Sequence, residues 1–136
     1  MPIQMKWTFI VNICLFCNLS GSPDIEFFEK KIRPILIDEC YQCHSQENKI
    51  KGNLRLDWKG GWLSGGDSGQ AIIPGQLGKS LLIQAIRHGN DELKMPPKKK
   101  LTAQHIEDLE KWVVMGAPDP RSSENLSLIH ISEPTR

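Results

Sequence analysis

A chain of 136 residues, 39% hydrophobic and 24% charged, has room for one modest domain, whose thin core would profit from a bound cofactor. A formal net charge of +1 supplies no basic field for capturing nucleic acid, and no nucleic-acid motif accompanies it. Two of the four cysteines fall inside an N-terminal apolar run, so the other two are too few for a disulfide framework.

The chain opens with MPIQMKWTFIVNICLFCNLS, residues 1–20, in which Lys6 precedes an apolar run from Trp7 to Phe16 and small polar residues follow. This pattern reads as a secretory signal, with cleavage expected near Ser20 to Ser22, or retention as an anchor. The run is too short to span a bilayer. Cys14 and Cys17 are read as hydrophobes of that run, and Phe16 before Cys17 argues against a lipoprotein site. The expectation is an exported, periplasmic or extracytoplasmic protein with its domain at residues 22–120.

Ser22 before Pro23 predicts a helix start, with Phe28, Ile32, Ile35 and Leu36 recurring on one face. Pro34 lacks an amide donor and is expected to kink this helix or begin a second segment running into Cys40. From Lys51 to Gly78 the chain is glycine-rich, contains Trp58 and Trp62, and keeps no sustained period. Such a long irregular loop needs something to order it. A flat apolar cofactor covered by Leu54, Trp58, Trp62, Ile72 and Ile73 would do so, and so would simple core packing.

Ser80 is placed to cap a short helix carrying Leu82, Ala85 and Ile86 as a stripe, with His88 and Gly89 marking its end. The "GKS" at Gly78 to Ser80 is no phosphate loop, because Ile73 stands where the first glycine is required. Thr102 predicts the start of a last helix carrying Ile106, Leu109, Trp112 and Val113, closed by Gly116 and stopped by APDP. The expected fold class is all-α, about three to four helices around a cofactor with a long irregular loop. The tail LSLIHISEPTR, residues 126–136, resembles the translated end of a sequencing-library adapter and is set aside, so the native chain is expected to continue past Asn125.

The residues with distinctive chemistry lie in ECYQCHSQ, Glu39 to Gln46. Cys40 and Cys43 are one helical turn apart and His44 follows at once, an arrangement open to three chemistries. A redox dithiol would want a strand before Cys40 in a βαβ setting, and none is apparent. A zinc site would need Cys40 and Cys43 joined by two more ligands, for which only His88 and His105 offer themselves, without the usual second close pair. Covalent haem attachment uses all three residues: two thiols add to the vinyl groups and the imidazole faces the iron.

Electron-transfer haem iron needs a second axial ligand. Met95 is the best candidate, held in LKMPPKKKLT by Pro96 and Pro97 just before the last helix. His88 is the runner-up, while His105 and Met115 read as structural or solvated. A Met/His pair raises the potential relative to two imidazoles, and a six-coordinate iron favours electron transfer over catalysis. Lys98, Lys99 and Lys100 form either a solvated loop or a basic rim that steers an acidic redox partner. Arg33, Arg55, Trp58 and Trp62 are candidates for the haem propionates that spacing does not assign.

From Phe27 to Pro118 the chain resembles class I c-type cytochromes, and most of all the planctomycete-type cytochrome c domain. The resemblance is carried by FEKKIRPILIDECYQCHS, KGNLRLD, GGDSGQAIIPG, KSLLIQAIRHG and KMPPKKKLTAQHIEDLEKWVVMGAP. It implies a covalently bound haem c on Cys40 and Cys43, with His44 as proximal and Met95 as distal iron ligand. It also implies a compact all-helical fold whose first and last helices pack together, often at the N-terminus of a longer exported protein. The insertion between CxxCH and the Met loop departs from the shortest cytochromes c and leaves the acceptor of the His44 ring proton open; the Pro74 neighbourhood is the candidate.

The expected function is that of an exported mono-haem carrier passing one electron to a redox partner protein or an adjoining domain, without nucleic acid and touching membrane only through an uncleaved N-terminus. The alternatives are a haem-based peroxidase or gas sensor with a displaceable Met95, and a haem-stabilised binding module of a larger protein.

Overall fold

The computed structural model describes residues 21–122; the segment read as a signal and the C-terminal tail lie outside the described residues. The chain enters α1 (Pro23–Phe27) through Ser22, whose Oγ accepts the Ile25 N–H at 3.4 Å, with Asp24 and Glu26 in the first turn where the helix dipole favours acids. A π-helical turn over Phe28–Ile32 joins it to α2 (Arg33–Glu39). Pro34 stands in the first turn of α2, where its missing N–H costs little. The π turn just ahead of it carries the helical path onward without a break, because the Arg33 N–H reaches back to the Phe28 carbonyl.

Part of the loop expected to be irregular is helical. α3 (Lys59–Ser64) starts with two glycines, Gly60 and Gly61, which by propensity oppose a helix. Close packing overrides that preference: a Cβ on Gly61 would meet the Arg55 carbonyl oxygen at 2.6 Å. α3 thereby buries Trp62, whose indole N–H donates to Asp119 Oδ2 at 2.9 Å.

α4 (Leu81–Ile86) and α5 (Ala103–Val114) complete the helices. Thr102 Oγ1 accepts the His105 N–H at 3.2 Å, so α5 begins where the sequence predicts. Ser80 precedes α4, but its buried hydroxyl does not cap it. It accepts from Ile73 N at 2.9 Å and donates to the Gln76 carbonyl at 2.7 Å, pinning the end of the long loop instead. Of the two residues expected to mark the end of α4, His88 and Gly89, it is His88 that is left-handed, at φ 57°.

The core joins the first helices to the last, as the resemblance implies. Phe28, Ile32, Leu36, Trp62, Leu109, Trp112 and Val113 are all buried in one cluster. Trp112 packs against Phe28 at 5.7 Å between ring centroids and against Trp62 edge-on at 5.9 Å. Among the described residues there is no strand, only two isolated bridges, and no helix is long and apolar enough to cross a membrane.

Candidate functional site

The site begins where α2 ends. The Cys40 N–H still bonds to the Leu36 carbonyl, and the next turn closes with Cys43 N and His44 N both donating to the Cys40 carbonyl, at 3.1 and 3.0 Å. The chain then doubles back, with Lys51 N bonding to the Cys43 carbonyl and Leu56 N to the His44 carbonyl, both at 2.8 Å. Ser45 fastens this reversal by donating to the Tyr41 carbonyl and accepting from Asn48 Nδ2. Both backbone polar groups of His44 are therefore satisfied locally, which leaves the direction of its imidazole set by the fold.

That imidazole faces an apolar cavity of about 170 Å³. One wall is α4, through Leu82, Ala85 and Ile86; the other is the returning strand of loop, through Leu54, Leu56 and Ala71. Gly66 lies in the second wall, where a Cβ would meet the Gly52 carbonyl oxygen at 2.4 Å. Met95 lines the same cavity as His44 and is 40% exposed. The Met95–Pro96 peptide is cis. Backbone bonds hold Met95 on both sides: its N–H donates to the Ala85 carbonyl at 3.1 Å, and its carbonyl lies 3.2 Å from His88 Nε2.

The other predicted residues distribute as follows. Cys40 and Cys43 are free, half-buried thiols in the turn that leads into His44; neither is in the cavity lining, and Cys40 packs against the core. Burial first, then the charges of Glu39 and Cys43, push the Cys40 thiol up to about 12, so it stays neutral at physiological pH. Burial likewise lowers the pKa of His44, against smaller opposing effects from the backbone of Leu54 and Lys51. Its Nδ1 is buried without a hydrogen-bond partner. The Pro74 neighbourhood does not supply one; Gly75 N bonds there to the Val113 carbonyl at 2.7 Å, which ties that turn to α5.

None of the four propionate candidates lines the cavity. Trp62 is committed to Asp119, Arg55 pairs with Asp57 at 2.9 Å while stacking on Trp58, and Arg33 pairs with Glu29. His88 and His105 are also outside the cavity lining. Among the described residues no group of three or more His, Cys, Asp or Glu side chains is placed to hold a metal ion, which leaves the four-ligand zinc reading without a site.

Comparison with known families adds one finding: residues 40–99 match the family model for planctomycete cytochrome C. The chain carries a planctomycete-type cytochrome c domain. No curated protein and no solved structure matches the chain.

A haem fits the residues this cytochrome c domain presents. The cavity is apolar, as a porphyrin face requires, and the donors that line it, the His44 imidazole and the Met95 thioether, are of the types that suit haem iron. Two wall features escaped the sequence reading. The α4 stripe of Leu82, Ala85 and Ile86 reads as part of a helix but not as a cavity wall, and Gly66 is not singled out within the glycine-rich segment. The available signal was the stripe's position one turn ahead of the Met95 loop.

A second, buried polar cluster also went unread. Arg121, beyond α5, pairs with Asp119 at 2.6 Å, donates to the Leu56 carbonyl at 2.9 Å and to the Tyr41 hydroxyl, and stacks on Phe28 at 4.8 Å. Tyr41 is the residue after Cys40, and Leu56 is the one whose N–H holds the His44 carbonyl. The chain after α5 thus braces the turn that carries the two cysteines and the histidine.

Proposed function

We propose that this protein is an exported mono-haem c-type cytochrome that carries one electron between redox partner proteins or to an adjoining domain. The observation that carries this reading is that His44, the last residue of CxxCH, and Met95, from a distant part of the chain, line one apolar cavity. When bound, haem supplies an iron that cycles between ferric and ferrous states, one electron at a time. Cys40 and Cys43 would hold it through two thioether bonds, and the His44 imidazole and the Met95 thioether would be the protein's ligands to its iron.

The rest of the site keeps water away and fixes these donors. Leu54, Leu82, Ala85 and Ile86 line the cavity with hydrocarbon, which lowers the local dielectric and favours the state of lower charge. Ligation by both His44 and Met95 would favour electron transfer over chemistry on oxygen or peroxide. Lys98 and Lys100 are exposed, and Lys99 reaches Glu39 Oε1 at 2.8 Å, tying the Met95 loop to the end of α2. The two free lysines suit an acidic partner surface.

The exposure of Met95 favours one second reading, a haem-based peroxidase or gas sensor from which the thioether is displaced. Spectra separate the two. A stable thioether-to-iron charge-transfer band in the oxidised protein, with rapid reversible electron exchange, is the expected result. Fast binding of peroxide or carbon monoxide to the resting protein, without that band, would favour the second reading.

A further inference from the structure

His88 sits at the end of α4 with φ 57°, a left-handed conformation that costs a side chain with a Cβ roughly 1 to 2 kcal/mol. Glycine is the usual residue where a helix ends in this conformation, and Gly89 is the very next residue, yet the chain places the histidine there. Something else must compensate for the strain. The imidazole offers it: Nε2 lies 3.2 Å from the Met95 carbonyl oxygen, which can only accept, so Nε2 carries the proton and donates.

We infer that His88 is a positioning residue that holds the Met95 loop against the cavity by donating Nε2–H to the Met95 carbonyl. The inference rests on Met95 as the distal ligand. The end of α4 then grips Met95 twice, through the Ala85 carbonyl on its N–H and through His88 on its carbonyl. Side-chain packing does little of this work, because Met95 is 40% exposed and Pro96, the next residue, has no N–H to contribute. The loop between the two grips is closed by local contacts, Leu93 N to the Asn90 carbonyl, Glu92 N to Asn90 Oδ1 and the Lys94–Asp91 pair.

The test uses the haem-loaded protein, with imidazole as a competing iron ligand. His88→Gly removes the donor and relieves the left-handed strain, so a role limited to ending α4 would leave Met95 undisturbed. The expected result is roughly three- to ten-fold tighter imidazole binding, the equivalent of one lost hydrogen bond, with the denaturant midpoint unchanged or raised. The Met95 amide should also exchange faster with solvent. His88→Gln, which keeps a donor at similar reach, should restore both readouts towards the parent.

Imidazole binding and Met95 exchange unchanged in His88→Gly would overturn the inference while leaving Met95 as ligand, provided Met95→Ala strengthens imidazole binding. If Met95→Ala leaves that binding as in the parent, the ligand reading itself fails and the inference falls with it.

Discussion

Asp119→Ala is the substitution whose cost the structure defines most fully. The Asp119 side chain is 0% exposed and accepts four hydrogen bonds: from Trp62 Nε1, from the Arg121 backbone N–H and from Arg121 Nε and Nη2. Alanine would strand a buried indole N–H, at about 1 to 3 kcal/mol, beside a guanidinium whose side chain is only 11% exposed. Removing one partner of a buried ion pair costs about 3 to 5 kcal/mol. Arg121 would keep the Leu56 carbonyl, the Tyr41 hydroxyl and the Phe28 ring, so the lower end, about 3 kcal/mol, is expected. That is a large part of the 5 to 15 kcal/mol by which a small domain is stable. Urea unfolding of the haem-loaded protein, followed by tryptophan fluorescence, should show the midpoint falling with the slope unchanged. Asp119→Asn, which keeps an acceptor for Trp62, should fall between the parent and the alanine variant. A loss below about 1 kcal/mol for Asp119→Ala would refute the view that this cluster braces the CxxCH turn.

Other outcomes follow from single contacts. Gly66→Ala forces a methyl group to within 2.4 Å of the Gly52 carbonyl oxygen in the cavity wall and should cost about 1 to 3 kcal/mol by the same unfolding assay. Thr102→Ala removes the acceptor for His105 N–H at the start of α5 and should cost about 1 kcal/mol, read as a lower thermal midpoint. Burial acts to raise the Asp57 carboxyl, but hydrogen bonds from Arg55 and from Gln46 N outweigh it and hold its pKa below the usual value. Its stabilisation is therefore present above about pH 4 and lost as pH falls through the lower folded value, so the gap between parent and Asp57→Asn should narrow on acid titration.

The residues that were legible were those whose signal is local. Ser22 with Pro23 and Thr102 announce helix starts through side-chain chemistry that works within one turn, and the 3.6-residue stripes of Phe28, Ile32 and Leu36 and of Leu109, Trp112 and Val113 announce the buried faces. Donor type and spacing are likewise visible in a line of letters, and two of the residues they single out, His44 and Met95, line one cavity. Where distant contacts decide, the reading failed. α3 forms across Gly60 and Gly61 because Arg55 and Trp58 crowd that spot, which no propensity records. Ser80 turns from the helix it precedes to the loop behind it. APDP and the residues after it read as a mere stop, yet Asp119 and Arg121 meet Trp62, Leu56 and Tyr41, a pairing across the chain with no local signature.

The most direct measurement of the central claim is a denaturing gel stained for haem, with intact mass, on the full-length chain matured in a periplasm competent for haem attachment. The parent should stain and carry one haem's added mass through denaturation, and Cys40→Ser with Cys43→Ser should abolish both. A parent band that stays colourless, or that loses its haem on unfolding, would contradict covalent attachment at these two cysteines.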